Sequence, residues 1–166
     1  MKRIVILMAF GSAIFLPLLL FAQDNIKEMS VNWSHKDGEM LFQFEKVSRY
    51  REKLMFDLVV HNTNKTDSLC SFFTIGDDIS LVHDELGRGF AGSGLFFKTK
   101  GEYKFAPNEK EAVRIVIKIP EAGLRQINLQ LGLFAKKADP KQDCPNPIVN
   151  MGFNFHKSNV DIKQLL

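Results

Sequence analysis

The sequence predicts an all-β domain, an antiparallel two-sheet β-sandwich of about eight strands. Three observations carry this expectation. Apolar residues recur at every second position in five segments, turn-forming residues separate those segments, and no stretch of ten or more residues has helical periodicity. Successive side chains of a strand point to opposite faces, so each alternating run has one face for the core and one for solvent. That pattern suits antiparallel sheets wetted on one side rather than parallel sheets buried on both.

The chain opens with a leader. Lys2 and Arg3 precede an uncharged apolar run at 4–21, and Leu20-Phe21-Ala22 forms a signal-peptidase site. Residues 1–22 are therefore expected to be a signal peptide. A retained membrane helix is the alternative, but the run is barely long enough to span and is interrupted by Gly11, Ser12 and Pro17. No Cys follows the cleavage position, which argues against a lipid anchor. The leader is similar to those of Gram-negative exports, which implies a periplasmic or secreted protein with no stable membrane insertion after cleavage. Removing 22 of the 166 residues leaves 144, enough for one domain at 23–157 and a tail at 158–166 with the makings of a short helix. Loss of Lys2 and Arg3 lowers the formal charge from +3 to +1. So neutral a chain has no overall drive toward nucleic acid or anionic lipid.

Within the domain, Asp37-Gly38 separates segments at 29–35 and 39–47 and signals a hairpin. Met40, Phe42 and Phe44 share one face of the second segment. Leu54, Phe56, Leu58 and Val60 mark the next strand, which the polar turn Asn62-Thr63-Asn64-Lys65-Thr66-Asp67 ends. Val113, Ile115, Ile117 and Ile119 follow the Pro107-Asn108-Glu109 turn and stop at Pro120 and Gly123. Ile127, Leu129, Leu131 and Leu133 form one further run, and Val149, Met151, Phe153 and Phe155 the last. Trp33 is in phase with Val31, which places it at the core edge; an exposed ligand-stacking role is the alternative. Cys70 and Cys144 are an even count in an exported chain, so a disulfide is expected, with two separate thiols as the alternative. They lack zinc-site spacing.

The turns raise a resemblance. Leu58-Val59-Val60-His61-Asn62-Thr63-Asn64-Lys65 resembles a strand running into the Asn-Thr-Asn/Ser-Lys turn of bacterial extracellular immunoglobulin-like domains. Asp84-Glu85-Leu86-Gly87 resembles their Asp-x-x-Gly turn. Phe105-Ala106-Pro107-Asn108-Glu109 resembles their Pro-Gly-Glu turn, with Asn108 replacing Gly. The match covers about 53–134. It implies immunoglobulin-like architecture, in a group mostly of unknown function with a few members similar to proteinase inhibitors. It carries over no catalytic residue.

Several segments invite a sharper reading. Gly87-Arg88-Gly89-Phe90-Ala91-Gly92 is a literal GxGxxG. A dinucleotide loop needs a following helix whose amides hold the pyrophosphate. Here Ser93-Gly94-Leu95-Phe96-Phe97 follows, a poor helix start, so a glycine-rich turn is expected. Asp77, Asp78, Asp84 and Glu85 have the oxygen chemistry of a calcium site, but a strand between the two pairs would hold them over about 10 Å apart. His61 and His156, with Met55 sharing the phase of His61, would make a copper or zinc site only if their strands were neighbours. Asn32 and Asn64 begin Asn-x-Ser/Thr triplets, relevant only in a glycosylating host. No serine occupies a nucleophile motif.

The expectation is an exported, non-catalytic binding or protein-interaction module with no cofactor and an unidentified protein or cell-surface partner. Its candidate surface is a loop set carrying Asn62, Asn64, Asp77, Asp78, Asp84, Arg88 and Phe90. An edge strand offers strand addition as a second mode of capture. A proteinase inhibitor and a copper, zinc or calcium carrier are the rival readings.

Overall fold

The computed structural model describes residues 26–74, 82–90, 95–98, 104–119, 124–139, 141–142, 144 and 152–166. The leader, Asp77 and Asp78 lie outside them. The described residues form eleven strands and no α-helix. They are β1 (Lys27–Asp37), β2 (Met40–Tyr50), β3 (Lys53–Asn62), β4 (Leu69–Thr74), β5 (Val82–Asp84), β6 (Gly89–Phe90), β7 (Leu95–Lys98), β8 (Lys104–Phe105), β9 (Lys110–Lys118), β10 (Gln126–Lys137) and β11 (Phe155–Asp161). The expected eight become eleven because β5, β6 and β8 are pairings of only two or three residues.

All pairings are antiparallel and fall into two sheets. One has the order β1-β2-β3-β9-β7; the other is built on β10, which pairs with β4, β5 and β11. The arrangement is sandwich-like. Phe42, Phe44, Phe56, Leu58, Ile115 and Ile117 of the first sheet face Leu129, Leu131, Leu133 and Phe155 of the second in one buried cluster. Phe44 stacks on Phe155 at 4.8 Å, an apolar contact between the sheets. Trp33 sits half-buried at the rim, 6.1 Å from Phe44, with the Lys157 ammonium 5.9 Å from its ring.

The alternating phases hold along β3, β9 and β10, but β2 changes phase. Phe44 pairs with Leu58 and Lys46 with Asp57, so Glu45 is an extra residue opposite β3. This bulge re-aims the rest of the strand. Lys46 stays outside, and Val47 becomes the next core residue. The β1–β2 turn consists of Gly38-Glu39 with φ +56° at Gly38, the position where a type II′ turn takes glycine. The β2–β3 turn places Arg51 at φ +52°, a conformation costly for a residue with a Cβ.

The C-terminal segment differs from expectation. The last strand among the described residues occupies Phe155–Asp161; 152–154 of the expected run are outside it, and Val149 and Met151 lie outside the described residues. Residues 158–166 are not a helical tail; they continue that strand into one 3-10 turn, Lys163–Leu165. Ile162 and Leu165 are buried in the core. The sequence pattern misled because Asn154 looks like an outward strand residue. Its side chain instead replaces a strand: Nδ2 donates to the Leu133 carbonyl and Oδ1 accepts from the Leu133 amide, both at 2.9 Å. Two residues along, the Asp37 carboxylate accepts from the Ala135 amide at 2.6 Å.

Cys70 and Cys144 form the expected disulfide. It fastens the segment after β10 to a small cluster of Cys70, Ala138, Phe134 and Cys144, separate from the main core. Lys104 adds a second clasp, donating to the carbonyls of Asp139 and Gln142 at 3.2 Å. Replacing both cysteines with serine should therefore lower stability by about 4 kcal/mol in the chain-entropy account while leaving the sheets folded. Urea unfolding followed by far- and near-ultraviolet circular dichroism checks this; loss of the native near-ultraviolet signal in buffer would place the bond in the core's own folding.

Candidate functional site

The Asn62–Asn64 turn is built around a buried amide. Asn62 ends β3 and is fully buried. Its Nδ2 donates to the carbonyls of Asp67 at 2.9 Å, Phe105 at 3.2 Å and Ala106 at 2.9 Å. Its Oδ1 accepts from the Asn64 amide at 3.0 Å. Backbone groups leaving a sheet must find partners, and one side-chain amide serves several of them here. Asn64 repeats the device. Its Oδ1 accepts from the amides of Thr66 and Asp67 at 2.8 and 2.9 Å, the local bonding that makes Asn a turn former. Its Nδ2 faces the carboxylates of Glu39 and Asp67.

Two other turns are tied to this one. The amide and hydroxyl of Thr63 donate to the Glu39 carbonyl at 2.8 and 2.7 Å. The Asn108 amide donates to the Asn64 carbonyl at 3.0 Å. Glu109 N bonds Ala106 O across Pro107 and Asn108, and Asn108 has φ +59°. That is type II geometry, with Asn supplying the left-handed residue that the Pro-Gly-Glu resemblance assigns to Gly. Three turns, at 38–39, 62–67 and 106–109, thus form one hydrogen-bonded end of the fold.

Asp84 organises a second turn. Its side chain is 2% exposed, while that of Arg88 is 72% exposed. Oδ1 accepts from the amides of Leu86 and Arg88 at 2.9 and 2.8 Å, and Oδ2 takes the Arg88 Nε–H at 2.6 Å. Burial alone would raise this carboxyl; the backbone and side-chain bonds of Arg88 and the Leu86 amide outweigh it and hold the group below its ordinary value. Gly87 N bonds Asp84 O, and Gly87 has φ +76°. The chain then returns as β6 against β5. The first half of the GxGxxG motif is therefore a hairpin turn, with no helix N-terminus to hold a phosphate.

The expected loop set does not form one surface. Ala138 N bonds Ser68 O, and Lys137 pairs with Asp67, at the C-terminal end of β10. Asp84 pairs with Ile127, and Glu85 accepts from the Gln126 amide, at the N-terminal end of the same strand. The twelve residues of β10 hold these ends about 35 Å apart. Asn62 and Asn64 thus lie far from Asp84 and Arg88. Asp77 and Asp78 fall outside the described residues, as does the Phe90 side chain.

The histidine pair also separates. His61 is in β3 of one sheet and His156 in β11 of the other, so their strands are not neighbours. Burial and the adjacent Lys110 ammonium hold the His61 imidazole below its ordinary value. Among the described residues no three His, Cys, Asp or Glu are placed to hold a metal ion.

One arrangement escaped the sequence reading. Glu28, Lys46, Asp57 and Arg114 stand in a row across β1, β2, β3 and β9 on the outer face. Arg114 forks onto Asp57 through Nε at 2.5 Å and Nη2 at 2.9 Å. Burial raises the Asp57 carboxyl, but Arg114 and Lys46 together hold it below its ordinary value. The only sequence signal was opposite charges in the outward phase; the register that aligns them needs the Glu45 bulge.

Two outcomes test this description. Asn62→Ala removes an amide that buried carbonyls depend on and should cost about 2–3 kcal/mol, measured by urea unfolding. The lowered carboxyls of Asp57 and Asp84 contribute stability that is complete above their unfolded value near about 4 and is lost as pH falls through their folded values. Asp57→Asn and Asp84→Asn should thus be less stable than the parent at neutral pH, and the gap should close on acidification. An unchanged gap at every pH would assign the linkage to other groups.

Comparison with known proteins gives no match, for no family model, no curated protein and no solved structure matches this chain.

Proposed function

We propose that the protein is an exported, non-catalytic binding module of immunoglobulin-like architecture, recognising its partner through the end formed by the turns at 38–39, 62–67 and 106–109. The observation that carries this reading is the cross-bonding of those turns through Asn62, Asn64 and Thr63. Loops ordered before binding lose little conformational freedom on docking, so more of the contact energy appears as affinity. Binding residues on sheet scaffolds concentrate in loops for the complementary reason: loops vary while the scaffold stays rigid. Glu39, Lys65, Thr66 and Asn108 are exposed on this end. The leader at 1–22 and the Cys70–Cys144 disulfide both suit an oxidising compartment outside the cytoplasm.

The test is capture from the native exported fraction, followed by affinity measurement on the partner recovered. Lys65→Glu with Thr66→Arg should weaken binding at least about tenfold, roughly 1.4 kcal/mol. Gln43→Glu, on the outer sheet face, serves as control and should bind as the parent does. Equal affinity of all three proteins would remove this end from recognition.

A further inference from the structure

We infer that the opposite end of the fold rests on an anionic phospholipid surface. Large hydrophobic side chains exposed among the described residues are Ile26 (53%), Leu86 (73%) and Leu166 (43%). All three belong to that end. Ile26 precedes β1 where Lys27 pairs with Arg49. Leu86 caps the Asp84 turn beside the start of β10. Leu166 follows Ile162, whose amide bonds the Arg125 carbonyl.

Positive charge gathers at the same end. Lys53 lies opposite Lys118 across paired strands. Like charges in such positions are destabilising, so the sheet end concentrates a charge that its own folding does not favour. Of the acids nearby, Glu52 pairs with Lys118 at 3.4 Å, Asp84 with Arg88 at 2.6 Å and Asp161 with Lys163 at 3.9 Å, while Glu85 accepts from the Gln126 amide at 3.4 Å. Lys27, Lys53 and Arg125 carry no ion pair among the described residues. The overall charge near zero therefore conceals a basic end.

Exposed aliphatic side chains among cations that have no ion pair within the described residues match the interface of an anionic bilayer, where the apolar groups enter the headgroup boundary and the cations meet phosphate. The inference stands apart from the recognition end, about 35 Å away along β10.

The experiment is co-sedimentation with phosphatidylcholine vesicles, with and without phosphatidylglycerol. A chain beginning at Gln23 keeps all eleven strands and every residue of the core cluster; circular dichroism and the oxidised disulfide verify its fold. Binding should be at least about tenfold tighter to the anionic vesicles and should weaken with salt. Lys27→Glu with Lys53→Glu should abolish the difference, and Leu86→Ser with Leu166→Ser should weaken the binding that remains at high salt. Lys36→Glu with Lys136→Glu, at the far end, should bind the vesicles as the parent does. No binding, equal binding to both vesicles, or equal loss in the far-end variant would overturn the inference.

Discussion

Backbone pairing along β10 is the constraint on which half of the molecule depends. β4, β5 and β11 all hydrogen-bond to it, and β6 and β8 join only through β5 and β4. A strand so used cannot leave its amides and carbonyls unmet where a neighbour stops. Beyond Phe155 the gap is closed by Asn154 on Leu133 and by Asp37 on Ala135. Asp37 comes from the other sheet, so one carboxylate both finishes the edge of β10 and fixes how the sheets meet.

The same economy governs the turns. Asn62, Asn64 and Asp84 spend their polar atoms on local backbone rather than presenting them outward. Residue types that suggest recognition in a sequence are here the means by which loops acquire one shape. Exposed chemistry falls to their neighbours, among them Lys65, Thr66, Leu86 and Arg88. The turns thus divide their labour between a buried polar residue and the exposed side chains it positions.

Much of the fold was legible in the sequence. The inward phases of β3, β9 and β10 and the turns at Gly38, Asn62, Gly87 and Asn108 follow from local chemistry, and the even cysteine count anticipated the Cys70–Cys144 bond. What escaped depends on partners distant in the chain. The sequence of 62–67 and of 84–88 does not say that β10 sets them at opposite ends. Residues 158–161 look like a tail until β10 is known to lack a neighbour there. The candidate surface united two turns that β10 sets at opposite ends of the fold.

The extra residue at Glu45 has a consequence for how this chain can vary. Before it, the core residues of β2 are Met40, Phe42 and Phe44; after it, Val47, Ser48 and Arg49 are all buried, and the one that joins the core cluster is the odd-numbered Val47. The strand is two half-strands joined out of step, and that offset alone keeps Lys46 beside Asp57 instead of among phenylalanines. Losing Glu45 itself would bring the halves into step with both still facing as they do, because Phe44–Leu58 and Lys46–Asp57 would become consecutive pairs, whereas losing one residue elsewhere in β2 would turn the strand beyond it to the other face. The strand therefore tolerates a single gap at Glu45, and elsewhere it can change length only in pairs.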